Sequence, residues 1–288
     1  MPLQAALTPA YLSGILGLKL KARAVLEGAL AGSHRSPFHG YSSEFAQYKG
    51  YVPGDDTRHL DWKAYGRRDQ LVIRQYRDET NTALHLALDS SASMGHGNKL
   101  EYACVLAASL ALLAERQRDT VSLAYGAGAL ESWLPPEGGP RATREVIRRL
   151  ESLRAEGRTD LEALFTQEAA RIARQSFVFL FTDLWQDPEA IGAGLRRIRQ
   201  KSRAATVVQL RTREEEEFVE DGSFRLRDLE TGELMEINAA QARPAYLEAR
   251  QDHARRLAAE CARLDLRLVA LRTDWPCDVA LRKLLAAG

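Results

Sequence analysis

The chain has 288 residues, enough for one large domain or a domain with an appendage. Its 45% hydrophobic and 27% charged residues suit a globular protein with a full core and exclude a disordered chain. The 40 Lys and Arg against 39 Asp and Glu leave a net charge of +1, which argues against a surface built throughout for nucleic acid or anionic lipid.

In chain order, Thr8 and Pro9 open a helix. The apolar stretch Ala10 to Leu18 has its positive charges, Lys19, Lys21 and Arg23, after it, the reverse of a secretory signal, so the chain reads as cytoplasmic. A loop rich in Gly, Ser and His follows. Aromatic-rich segments then contain YVPGDDTRHLDW and LVIRQYRDE, expected to supply extra strands and a packing cover. Residues 1–81 are read as an N-terminal extension and residues 82–288 as the main domain.

From residue 82 onward short β-type runs alternate with longer helical ones. This predicts an α/β fold: a doubly wound, mainly parallel sheet with Rossmann-type layering. Strands are expected at Ala83–Leu88, Thr120–Tyr125, Ala129–Leu134, Phe177–Phe181, Thr206–Leu210 and Leu266–Leu271. Helices are expected at Lys99–Arg116, Arg141–Leu153, Leu161–Arg174, Pro188–Arg199 and Pro244–Leu264. Asn98 with Glu101, Thr159 with Glu162, and Asp187 before Pro188 read as helix starts. An insertion at about 214–237 reads as an exposed hairpin turning at Thr231 and Gly232, led by four glutamates expected to be solvated. The longest nearly apolar run, Ala103–Ala114, falls short of the ~18 to 20 residues of a membrane span. Cys104, Cys261 and Cys277 form no CxxC pair, so neither a disulfide framework nor a zinc site is expected, and Cys104 reads as core.

The segment LALDSSASMG carries the chemistry. An apolar strand ends in Asp89, Ser91 and Ser93, three hard oxygen donors spaced to suit a small divalent cation. Thr159 in GRTDL and Asp183 in FVFLFTDL stand at a helix start and a second strand end. In a sheet of order 3-2-1-4-5-6 the loops bearing Asp89 and Asp183 meet at the topological switch point. Singly, each residue has a structural alternative: Thr159 as a helix cap, the serines in a turn, Asp183 at a strand end. Asp89 is harder to dismiss, because Asn98 is expected to cap the next helix.

Asp89, Ser91, Ser93, Thr159 and Asp183 match, position by position, the pattern of the metal-ion-dependent adhesion site of the von Willebrand factor A domain, which the sequence resembles. Glu44, Phe45 and YVPGDDTRHLDWKAYGR from Tyr51 to Arg67 look like the hallmark of the Domain of Unknown Function 58 family, which joins that segment to a von Willebrand A-like domain. The likeness spans roughly Leu26 to Asp183, with weaker agreement beyond. Gly66 and Leu184 depart from the pattern, standing where Ala and Gly are usual. The resemblance implies bound Mg²⁺ or Mn²⁺ and a MoxR-type AAA+ ATPase as partner. With two carboxylates and three hydroxyls as ligands, an octahedral ion keeps one position for water or a partner's carboxylate.

Rival readings fare less well. Asp55, Asp56 and Asp61 suggest a second acidic site, but Arg58, Arg67 and Arg68 lie close enough in sequence to pair with them; docking of the ATPase on this segment is the sharper alternative. A metal-dependent hydrolase or phosphate-ligand enzyme using the same five residues is the main rival function. GHGNKL lacks the third glycine of GxGxxG and the GK[ST] ending of a phosphate loop, Ser91 replaces the second carboxylate of a DxD phosphatase, and GxSxG is absent. Nucleic-acid binding rests on the run Arg196–Arg203 alone, more often a solvated helix face. The expected function is therefore a non-enzymatic, metal-dependent protein–protein interaction. Asp89→Ala is expected to leave the protein folded, on the reasoning that its loop is exposed at the sheet edge.

Overall fold

The computed structural model describes residues 7–15, 17–31, 45–50, 64–66, 71–76, 82–219, 221–229 and 232–286. The chain divides into two compact units, Met1–Arg35 with Thr82–Gly288, and Ser36–Asn81. In the smaller unit, β1 (Phe45–Gly50) pairs antiparallel with β2 (Val72–Tyr76), with Tyr48 opposite Arg74 in register. β2 is one of the strands expected of LVIRQYRDE. Glu44, Asp55, Asp56, Arg58, Asp61, Arg67, Arg68 and Thr231 lie outside the described residues.

The larger unit opens with α1 (Pro9–Ser13), where the Thr8 hydroxyl accepts the Tyr11 amide at 3.3 Å. Next comes a helix the sequence reading does not anticipate, α2 (Leu18–Ala31), which buries Leu18, Ala22, Val25, Leu26 and Ala29. The remaining elements are β3 (Ala83–Asp89), a 3-10 turn (Ala92–Asn98), α3 (Lys99–Gln117), β4 (Thr120–Gly126), β5 (Leu130–Gly138) and α4 (Gly139–Ser152). They continue with α5 (Leu161–Arg171), β6 (Ser176–Thr182), α6 (Pro188–Lys201), β7 (Ser202–Arg211) and α7 (Arg213–Glu217). The chain closes with β8 (Ser223–Arg227), β9 (Leu234–Asn238), α8 (Ala239–Arg263), β10 (Arg267–Arg272) and α9 (Cys277–Leu285).

Six strands form the main sheet in the order β10-β7-β6-β3-β4-β5, which is 3-2-1-4-5-6 read from the β5 edge. Every neighbouring pair is parallel except β4 with β5. The doubly wound, mainly parallel expectation therefore holds. β3 is central, and its Leu84, Leu86 and Leu88 alternate with His85, Ala87 and Asp89, all buried. Ala87 packs in a cluster with Leu161, Leu164 and Phe165 of α5, Leu195 of α6 and Leu257 of α8. α3 is apolar almost all round, as befits a helix held between the sheet and α2. Gly28 permits the close approach of α2 to α9, since a Cβ there would lie 2.8 Å from Leu7 Cδ1 and 3.3 Å from Asp278 Cβ.

Three boundary expectations are corrected. Asn98 does not cap α3 with its side chain; it takes a left-handed φ of 58° that turns the chain into the helix. Thr159 is not the cap of α5, because Asp160 accepts the Ala163 amide at 3.0 Å. α8 starts at Ala239, five residues before Pro244, because Asn238 accepts the Gln241 amide at 3.3 Å. Asp187 caps α6 as expected, and β8–β9 is the expected hairpin. All three cysteines are buried and free. No helix among the described residues is long and apolar enough to cross a membrane.

Candidate functional site

β3 and β6 lie side by side at the centre of the sheet, so their carboxyl ends deliver Asp89 and Asp183 to the same end of the fold. Asp89 is 2% exposed; one oxygen accepts the Ser91 amide at 2.9 Å and the other the Thr182 hydroxyl at 2.8 Å. Ser91 starts the 3-10 turn without a side-chain capping bond, so its hydroxyl is not spent on the helix. Ser91 Oγ and Ser93 Oγ are 3.1 Å apart.

Two further loops are laced to this one. The Glu156 amide donates to Ser90 O at 2.9 Å, and the Ala92 amide to Gly157 O at 3.0 Å. Gln186 then bridges to the Thr159 loop, donating to Thr159 O at 3.0 Å and accepting the Leu161 amide at 2.8 Å. The five sequence-predicted residues thus stand on three mutually hydrogen-bonded loops. The Asp89 loop is neither exposed nor at a sheet edge, contrary to expectation: β3 is the middle of the sheet, and Ser91 and Asp183 are 0% and 2% exposed.

Three residues of the site escape the sequence reading. Lys99, 1% exposed, donates to Asp183 Oδ2 at 2.8 Å and to Glu215 Oε1 at 2.7 Å. A lysine in the first turn of a helix opposes the helix dipole, a signal that it serves something else. Glu215 belongs to the glutamate run, which is not simply solvated. The run forms α7, started by a Thr212–Glu215 capping box, with Glu216 paired to Arg211 and Glu217 to Arg213. Glu168 is fully buried on α5, and neither carboxylate oxygen has a hydrogen-bond partner among the described residues. It occupies the apolar stripe of α5, one turn from Leu164, Phe165 and Ile172, a placement visible in the sequence.

The electrostatics follow from this burial. Desolvation, with the Asp183 charge beside it, pushes the Asp89 carboxyl up to about 6. Burial and the Asp89 charge push Glu168 well above the usual carboxyl range. Burial pulls the Lys99 ammonium down, but Asp183 and Glu215 outweigh it and hold it above the ordinary lysine value.

Among the described residues, no three His, Cys, Asp or Glu side chains are arranged to hold a metal. The three loops carry two carboxylates, Asp89 and Asp183, and the hydroxyls of Ser91, Ser93 and Thr159, the hard-oxygen donors that suit Mg²⁺ or Mn²⁺. For bonds of about 2.1 Å an octahedral edge is about 3.0 Å, so the Ser91–Ser93 spacing fits such an ion.

Residues 47–256 match the family described as Protein of unknown function DUF58, nearly three quarters of the chain. The chain belongs to the DUF58 family. The match runs past Asp183 through the hairpin into α8, taking in the stretch where the sequence likeness is weaker. This DUF58 chain is 24% identical, over 94% of its length and 88% of the relative's, to the uncharacterized protein Rv1480 of Mycobacterium tuberculosis. Two solved structures are similar to it. The conserved hypothetical protein BatB of Bacteroides thetaiotaomicron is 15% identical, with 70% of this chain and 96% of that one covered and a TM-score of 0.43. A von Willebrand factor type A protein of Catenulispora acidiphila is 12% identical, covering 75% and 43%, with a TM-score of 0.45. Leu184, one of the departures noted in the sequence, has a φ of 56°, the left-handed region that favours glycine. Its side chain is fully buried in the α5–α6 core, and burial of about 1.5–3 kcal/mol offsets the strain.

Proposed function

We propose that this DUF58 protein is a cytoplasmic, non-enzymatic interaction module that binds an acidic side chain of a protein partner in a metal-dependent way. A MoxR-type AAA+ ATPase is the proposed partner, with the chain acting as its adaptor. The observation that carries this reading is the lacing of three loops that bring Asp89, Ser91, Ser93, Thr159 and Asp183 to the switch point of the sheet.

These five residues would hold Mg²⁺ or Mn²⁺, which when bound supplies a Lewis-acidic position for a partner carboxylate. The chain's own contribution is orientation. The Ser91 amide and Thr182 hydroxyl fix the Asp89 carboxylate, Lys99 fixes Asp183, and Gln186 fixes the Thr159 loop. Against turnover, the Ser122–His85 pair at 2.7 Å is sealed inside the core, at 3% and 0% exposure, where no substrate reaches it. Against nucleic-acid binding, Arg199 of the basic run is engaged by Asp265 and Arg197 by Thr166 and Glu162.

Calorimetric titration of Mn²⁺ and Mg²⁺ into metal-stripped protein tests the reading. Saturable binding is expected for wild type and its loss in Asp89→Ala and Asp89→Asn, with the ATPase retained in Mg²⁺ and released by chelator. Asp89→Ala should keep the wild-type circular-dichroism spectrum, because a carboxyl pushed up to about 6 is a burden on the metal-free fold rather than a support. Equal ATPase binding with and without chelator would refute the metal bridge.

A further inference from the structure

Lys99 does more at the site than hold Asp183 in place. An ammonium that is 1% exposed stands at the heart of the site and bonds one of the two carboxylates the ion needs. It sits one carboxylate's width from any cation on Asp183, and low-polarity surroundings strengthen repulsion between like charges. Its second partner differs in kind. Glu215 is pinned on both oxygens, Oε1 by Lys99 at 2.7 Å and Oε2 by the Thr212 amide at 2.8 Å. The Glu215 amide in turn donates to the Thr212 hydroxyl at 3.1 Å. Glu215 is therefore a fixed anchor, whereas Asp183 is held on a single oxygen by Lys99. An ammonium that lost Asp183 would keep Glu215, a half-buried partner, and so would not be stranded as an unpaired charge.

We propose that Lys99 is an internal counter-ion of the site: it neutralises Asp183 in the metal-free protein, competes with the divalent cation for that carboxylate, and rests on Glu215 when the cation takes Asp183. The inference rests on the metal-binding reading and adds regulation to it. The site is tuned to hold its ion weakly, so that a partner's carboxylate, by adding negative charge at the open position, makes retention favourable. Lys99 is a positioning residue here, acting through Asp183.

The test is calorimetric affinity for Mn²⁺ in the full chain, with variants at the two ends of the bridge. Lys99→Met removes the competing charge and should tighten Mn²⁺ binding tenfold or more. Glu215→Gln removes the anchor, commits Lys99 to Asp183 and should weaken binding several-fold. Lys99→Arg, which keeps the charge, should stay near wild type. A purely structural Lys99 would instead make Lys99→Met and Glu215→Gln weaken together, and that result, or no change in either, overturns the proposal. Should Lys99→Met fail to fold by circular dichroism, Lys99→Gln takes its place as the variant without the charge, and unchanged or weaker binding contradicts the competition. Absence of Mn²⁺ binding in wild type and all variants overturns the metal reading itself and this inference with it, whereas binding in wild type lost in Asp89→Asn but indifferent to Lys99 and Glu215 overturns this inference alone.

Discussion

His85 lies fully buried on β3, its Nδ1 2.7 Å from Ser122 Oγ and its Nε2 without a partner among the described residues. Burial pulls its pKa from 6.5 down to about 4. The unfolded chain takes up a proton near pH 6.5 that the folded chain refuses until about pH 4. Stability from neutral His85 is thus complete above 6.5 and falls by about 3 kcal/mol as the pH drops to 4. Asp89 runs the other way. Its folded value of about 6 exceeds the ordinary 3.8, so the folded state gains as pH falls through that window. The two effects oppose each other in wild type, and a difference measurement separates them. Urea unfolding of wild type and His85→Leu at pH 7 and pH 4.5 should show the variant gaining about 2–3 kcal/mol relative to wild type at the lower pH; an equal gap at both would refute the assignment. At this scale Asp89, Ser91, Ser93 and Asp183 were legible because strand-end loops concentrate their carboxylates and hydroxyls in short motifs, and Thr159 because it stands just before the start of α5. Lys99 was not, because its meaning depends on Asp183 and Glu215, 84 and 116 positions away.

Among the elements, α7 shows how a run of like charges acquires structure. Four adjacent glutamates repel one another, yet Thr212 caps the turn, and Lys99, Arg211, Arg213 and Arg272 each take a carboxylate. The element is wedged against the 3-10 turn, where a Cβ on Gly97 would lie 2.2 Å from Thr212 Cγ2. Thr212→Ala removes the hydroxyl that accepts the Glu215 amide and should cost about 1 kcal/mol in chemical denaturation, while Thr212→Ser keeps it. Equal stability of the two variants would contradict the cap. The sequence pattern exposed the strands, the α5 and α6 helices and the hairpin, because alternation and apolar stripes are local. It did not expose α2, hidden behind a stretch read only for signal-peptide character, or α9. The misplaced caps have two causes: at Thr159 the neighbouring Asp160 takes the amide, and at Asn98 the left-handed backbone that turns the chain into the helix goes with no side-chain cap.

For the molecule as a whole, the strand order places the candidate site and was legible from the β–α alternation, since a doubly wound sheet puts its first and fourth strands together. A ligand bound by the folded state alone stabilises it by mass action, by about 2.7 kcal/mol at a hundredfold excess over Kd. Mg²⁺ should therefore raise the thermal midpoint of wild type in a concentration-dependent way and leave that of Asp89→Asn unmoved; a flat wild-type response would count against resident ion binding.

The two margins of the sheet carry a separate consequence. β5 contains Pro135 and Pro136, which have no amide hydrogen to offer an incoming strand. At the other margin Lys283 Nζ already occupies the Ala270 carbonyl of β10 at 3.1 Å. Lateral growth of this sheet into fibres or strand-swapped dimers is obstructed on both flanks.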